Sequence, residues 1–145
     1  MRLSILTLVP LGWGCAVYSP RSFHDLGTPF PGHRVSTACL DVGIARTQDA
    51  VAHGTIVEFS FGNRCAHAVT VDLASVRVRA GGILLHAHDP RREIEPLGLD
   101  AFWQGHELIE YNGADSGDVC VEIGGIEAGA RNAERWVCLD TWSDA

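Results

Sequence analysis

From Val35 onward, apolar residues recur at every second position, the spacing that puts alternate side chains on one face of an extended strand. This periodicity constrains the chain more than any other feature, because a helix cannot gather a period of two onto one face. Leu40, Val42 and Ile44 alternate with Asp41, Gly43 and Ala45, which predicts a half-buried strand. Over 54–61, Val57, Phe59 and Phe61 lie opposite Glu58 and Ser60, and Gly62-Asn63 reads as the turn that follows. Val69, Val71 and Leu73 continue the alternation, but Val76 and Val78 are out of phase with them, so Ala74-Ser75 is expected to be a bulge or a switch between sheets. Further strands are expected at 83–88, 97–101, 107–111, 119–123 and 135–139. The one helix candidate, 126–135, is weakened by Gly129.

A chain of 145 residues has room for at most one ordinary domain. About eight short strands over 35–145 predict an all-β fold, a single antiparallel immunoglobulin-like β-sandwich of about 7–9 strands with two disulfides. The five cysteines stand at 15, 39, 65, 120 and 138. Residues 1–14 carry Arg2, an apolar run and then small residues, the layout of a signal peptide; the run is shorter than the roughly 20 apolar residues that span a bilayer. The segment Gly12-Trp13-Gly14-Cys15-Ala16 resembles a bacterial lipoprotein signal, which makes Cys15 the expected lipidation site, although Gly12 and Trp13 depart from the residues usual there. Cleavage after Ala16 is the alternative, and a misassigned start or an uncleaved anchor is a third.

Both cleavage routes consume Cys15 and leave an even set of four, as in an exported, disulfide-bonded chain. Spacings of 26, 55 and 18 residues lack the close pairs of a thiolate zinc site. Four cysteines allow three pairings. If the strands at Leu40 and Ile56 run antiparallel, Cys39 comes near Cys65, and the last two strands bring Cys120 to Cys138, so these two bridges are favoured. Each closes a short loop and should contribute about 3 kcal/mol. Residues 15–34 hold Pro20, Pro29 and Pro31 with no apolar period, and are expected to be a tether that could stretch to roughly 60 Å. Ala16 in place of an Asp after Cys15 resembles signals that direct lipoproteins to the outer membrane.

Charge narrows the functions. All 11 basic residues are Arg against 18 acidic ones, a net charge of -7, and no basic cluster exceeds Arg91-Arg92, so nucleic-acid binding is not expected. Without Lys there is no Schiff base, P-loop lysine or Lys general base. Asp115-Ser116-Gly117 echoes a protease nucleophile segment in a chain half the needed length, and no Gly-x-Ser-x-Gly elbow exists. The acid pairs Glu93/Glu95 and Glu107/Glu110 read as solvated faces. The turn over 112–118 offers the oxygens of Asn112, Asp115 and Asp118 for weak calcium binding, but without EF-hand spacing or its terminal Glu, so a hairpin turn is expected. No catalytic residue, cofactor or small-molecule ligand is expected.

Two constellations remain. His86 and His88 would share a strand face about 6.6 Å apart, and His106 or His67 could supply a third ligand for zinc or copper(II), with Asp89 less well directed. The plainer reading, which is the one favoured here, makes both imidazoles the solvent side of a strand whose Leu85 and Ala87 face inward. Copper(I) held by Met is excluded, since the only Met is Met1. Phe102-Trp103 beside Gly105 offers a binding patch for a sugar or a protein, with core packing expected for Trp103 and Trp136 placed on the face of Cys138.

The stretch Glu58-Phe59-Ser60-Phe61-Gly62-Asn63-Arg64-Cys65, followed by Val69-Thr70-Val71-Asp72-Leu73 and Val76-Arg77-Val78, resembles the strand, Asn-containing turn, strand signature of small immunoglobulin-like envelope domains. Uncharacterised lipoproteins of myxobacteria and their relatives are similar, cysteine pairs included. The likeness implies a fold and an envelope location and brings no activity. The sequence therefore points to a non-enzymatic, lipid-anchored envelope protein with a structural or protein-binding role and an unidentified protein partner.

Overall fold

The computed structural model describes residues 18–19, 23, 30–47, 54–87, 94–112, 117–127 and 133–139. The period-two pattern is extended over 40–44 and 57–61, whereas of Val69, Val71 and Leu73 only the first two lie in a strand. The strands are β1 (His33–Ser36), β2 (Leu40–Thr47), β3 (Thr55–Asn63), β4 (Val69–Val71), β5 (Val78–Ala80), β6 (Ile83–Ala87), β7 (Leu97–Leu99), β8 (Gln104–Asn112), β9 (Val119–Glu122) and β10 (Trp136–Leu139). Eight form one antiparallel sheet in the order β1-β2-β3-β8-β6-β5-β9-β10, while β4 and β7 pair as a second. Of the candidate helix over 126–135, the described residues Ile126, Glu127, Ala133, Glu134 and Arg135 are all non-helical.

An immunoglobulin-like sandwich would divide these strands between two facing sheets. Here the large sheet curls until it is nearly closed: β10 lies against β2, and Arg135 Nη1 donates to the Ser36 carbonyl of β1 at 3.5 Å. Alternation and strand count are the same for both architectures, so the sequence pattern could not separate them. The expected sheet switch is present, since β4 belongs to the small sheet and β5 to the large one. Between them Asp72 holds the corner, accepting from Ser75 N on Oδ1 at 3.4 Å and from Ser75 Oγ on its carbonyl at 3.1 Å.

Val42, Ile44, Val57, Phe59, Phe61, Tyr111 and Val121 fill the inner face with no exposed surface. The small sheet adds Val69, Val71 and Leu99 to the same core. It can do so because β8 has Gly105 there; a Cβ would come within 2.7 Å of Leu99 Cδ2. Two sequence expectations need correction. Gly62-Asn63 is not a turn but the end of β3, with Asn63 opposite Leu40 in the ladder. Nor is β2 half-buried: Asp41, Gly43 and Ala45 on its outer face are buried along with Leu40, Val42 and Ile44.

Against that outer face lie Tyr18, Phe23 and Phe30, described residues of the segment expected to be a tether. Tyr18, Phe23 and Phe30 are 4%, 1% and 2% exposed and form a second apolar cluster, and β1 already begins at His33. Phe30 lies edge-on to Tyr18 and Phe23 at 5.6 and 5.3 Å. Arg34 fastens the segment through its guanidinium, with Nη1 donating to the Phe23 carbonyl at 2.5 Å and Nε to the Phe30 carbonyl at 3.0 Å. Two glycines make the space: a Cβ on Gly62 would stand 2.1 Å from the Tyr18 ring, and one on Gly43 would stand 3.2 Å from Phe30. The tyrosine hydroxyl donates to Asp41 Oδ2 at 2.6 Å. Period-two counting missed this docking because three aromatics five and seven residues apart carry no period.

The two tyrosines of the chain test it. Burial raises both hydroxyls far above the ordinary value of 10.0, and at Tyr18 the hydrogen bond to the Asp41 carboxylate adds to the effect. Raised folded values mean that this stability is complete below about pH 10 and is lost as pH climbs beyond it, where only the unfolded chain ionises. Tyrosinate absorbance should therefore be absent from the native protein near pH 10 and appear only with unfolding; a tyrosine titrating normally would show the segment undocked. Gly62→Ala should release Tyr18 to titrate near its ordinary value and cost about 1–3 kcal/mol. Gly98→Ala, where a Cβ meets nothing within 4 Å, should leave both readings unchanged.

Candidate binding site at the aromatic turn

The connection from β7 to β8 is a four-residue turn closed by Trp103 N–H donating to the Asp100 carbonyl at 3.1 Å. Its third residue, Phe102, has φ 57, the one positive value among the described non-glycine residues. Turns with a left-handed third residue favour Gly or Asn there. An aromatic residue in that conformation costs on the order of 1–3 kcal/mol and persists only when its surroundings hold it.

They do so at several points. Asn63, fully buried, donates through Nδ2 to the carbonyls of Leu99 at 3.2 Å, Asp100 at 3.0 Å and His67 at 2.8 Å. Its Oδ1 accepts from Cys65 N at 2.9 Å, and its backbone N–H donates to the Trp103 carbonyl at 2.8 Å. From the other side Tyr18 N–H donates to the Phe102 carbonyl at 2.7 Å. The backbone of the turn is thus fixed while both rings point outward, Phe102 at 39% and Trp103 at 48% exposure. Core packing, expected for Trp103, does not occur: the adjoining inner space over Gly105 is taken by Leu97 and Leu99. Fixed backbone with exposed rings is an arrangement that binds at small entropic cost. Sequence reasoning found the two rings and missed Asn63 and Tyr18, whose roles depend on contacts with remote residues.

The histidine set is only partly placed. His86 is exposed on β6 with Leu85 buried beside it, and His88 and Asp89 lie outside the described residues. His86 stands opposite Asn112, six positions along β8 from His106, a separation of roughly 20 Å. The structure does not bring them to one ion. His106 instead pairs with Glu58, Nε2 to Oε1, at 2.8 Å. Among the described residues the only cluster with metal-ligand spacing is Cys39, Cys65 and His67, and both of its sulfurs are joined to each other.

The favoured disulfides are the ones formed. Cys39–Cys65 joins the start of β2 to the corner after β3, with Cα atoms 5.2 Å apart. Cys120–Cys138 joins direct ladder partners of β9 and β10, with Cα atoms 3.9 Å apart. Trp136, as expected, shares a strand with Cys138. Its indole carries Arg79 at 4.5 Å and Arg77 at 5.5 Å over the ring. Trp136 Nε1 donates to Glu134 at 2.8 Å. That bond, together with Arg77, lowers the Glu134 pKa. Glu107 and Glu110, three apart on β8, face opposite sides of the strand and form no acid pair. Glu93, Cys15, Ala16 and the calcium-like turn over 113–116 lie outside the described residues. A second exposed apolar pair, Ile83 and Leu84 at 66% and 50%, begins β6.

Comparison with known protein families, curated proteins and solved structures finds no match to this chain. The turn itself supplies two tests by urea unfolding. Asn63→Ala leaves three carbonyls without their shared donor and should lower stability by about 2–3 kcal/mol. Phe102→Gly removes the backbone penalty and should raise stability by about 1 kcal/mol while removing a ring from the patch. A loss of stability in Phe102→Gly would mean the ring contributes to the fold rather than to binding.

Proposed function

We propose that the chain is an exported cell-envelope lipoprotein, lipidated at Cys15 and directed to the outer membrane. Its all-β domain has a structural or protein-binding role rather than a catalytic one, and Phe102 and Trp103 are its binding patch. The observation that carries the binding role is the positive φ of Phe102 beside two outward rings. A fold that tolerates a backbone penalty to present apolar surface to solvent is organised for contact with something else. Two disulfides support an oxidising, exported environment. In this reading the domain occupies the place of the small immunoglobulin-like domains of myxobacterial-type lipoproteins, with a nearly closed sheet in place of two facing layers.

The test is the intact mass of the protein from its host's membrane fraction, with thiols alkylated before reduction. A chain beginning at a lipidated Cys15, with no alkylated thiol, is the expected result. A start at Val17 would make the protein a soluble exported one. An added zinc or copper mass, lost when His86 and His88 are both replaced, would transfer the function to metal binding. Reduction should lower stability by about 3 kcal/mol for each bridge opened.

A further inference from the structure

The exposed rings lie at the end of the molecule where Tyr18, the first described residue, is bound. Tyr18 N–H is bonded to the Phe102 carbonyl at 2.7 Å, and Cys15 precedes Tyr18 by three residues. Consecutive Cα atoms are 3.80 Å apart, so the Cys15 Cα lies at most about 11 Å from that of Tyr18. A free segment over 15–34 would have allowed the domain roughly 60 Å of travel, but docking at Tyr18 removes nearly all of it.

We propose that Phe102 and Trp103 sit in the interfacial layer of the bilayer that holds the Cys15 lipid, so that the domain lies against the membrane at a fixed orientation. This inference rests on the lipidation of Cys15 proposed above. Aromatic rings with an apolar body favour the headgroup level of a membrane, and a lipid anchor is reinforced by a second, weaker apolar contact. The contact must be apolar because a chain of net charge -7 gains no attraction from anionic headgroups. The pinned backbone allows the rings to insert without reordering the turn. The other exposed apolar pair, Ile83 and Leu84, begins the strand whose His86 pairs with Asn112, at the far end of β8 from the aromatic turn. On this orientation it faces away from the membrane.

The experiment uses the full chain purified from its host's membranes and reconstituted into phosphatidylethanolamine and phosphatidylcholine vesicles whose acyl chains are partly brominated. Brominated lipid should quench the protein's tryptophan emission, and W103F should lose most of that quenching while W136F keeps it. Added salt should change neither result. Intact mass of the same preparation reports the lipid on Cys15 separately. Lipid on Cys15 with equal quenching in the parent and W103F overturns the membrane contact and leaves the lipoprotein reading standing. No lipid on Cys15 overturns that reading and the placement of the rings with it. Capture of a protein or glycan at Trp103, with brominated lipid inert, also overturns the membrane contact and assigns the patch to that partner.

Discussion

A carboxylate buried on the outer face of a sheet must be compensated, and the compensation of Asp41 organises one whole side of this protein. Asp41 is 3% exposed. It accepts from the Tyr18 hydroxyl at 2.6 Å and from Ser36 Oγ at 2.7 Å, and Arg64 Nε lies 2.9 Å away as its counter-charge. Those partners come from the amino-terminal segment, from β1 and from the corner beside the Cys39–Cys65 bridge. Leaving a buried carboxylate uncompensated costs several kcal/mol. The three elements are therefore bound to one position, and the glycines at 43 and 62 give the aromatic residues room to reach it.

Asn63 does for the neighbouring end what Asp41 does for the face. It is the last residue of β3 and the ladder partner of Leu40, so one side chain links the strand that carries the core to the corner after β3 and to the turn before β8. The aromatic turn thus inherits the rigidity of the sheet. A pair of exposed rings on a mobile loop would lose ordering entropy on binding; here that entropy is already lost in folding. The same turn accepts a hydrogen bond from Tyr18, so the buried Tyr18 and the candidate binding surface are directly joined.

Much of the fold was legible along the chain because local physics decides it. Alternation at Leu40, Val42 and Ile44 and at Val57, Phe59 and Phe61 located β2 and β3, and the phase slip at Ala74-Ser75 located the change of sheet. The disulfide pairs were legible once those strands were taken as antiparallel neighbours. The candidate site was legible as residue types only: Phe102 and Trp103 stood out as a pair of large rings, but not whether they were exposed. Their exposure was set by the tertiary packing, in which Leu97 and Leu99 lie over Gly105, and no local pattern encodes that. The His86 and His106 pairing failed as a cluster for a related reason, since strand register set them far apart.

The sequence by itself determined that this chain is all-β and acidic, and it favoured antiparallel pairing with the bridges Cys39–Cys65 and Cys120–Cys138 among the three possible pairings. Each of these follows from side-chain period, charge count or the spacing of cysteines on adjacent strands. Only the tertiary structure decided that eight strands join in one nearly closed sheet, because that depends on which edges meet and not on what any strand contains. It alone decided that Tyr18, Phe23 and Phe30 dock on the outside of that sheet. The physical reason is the same in both cases: the deciding contacts join residues far apart in sequence, and their free energy exists only after the strands between them are in place.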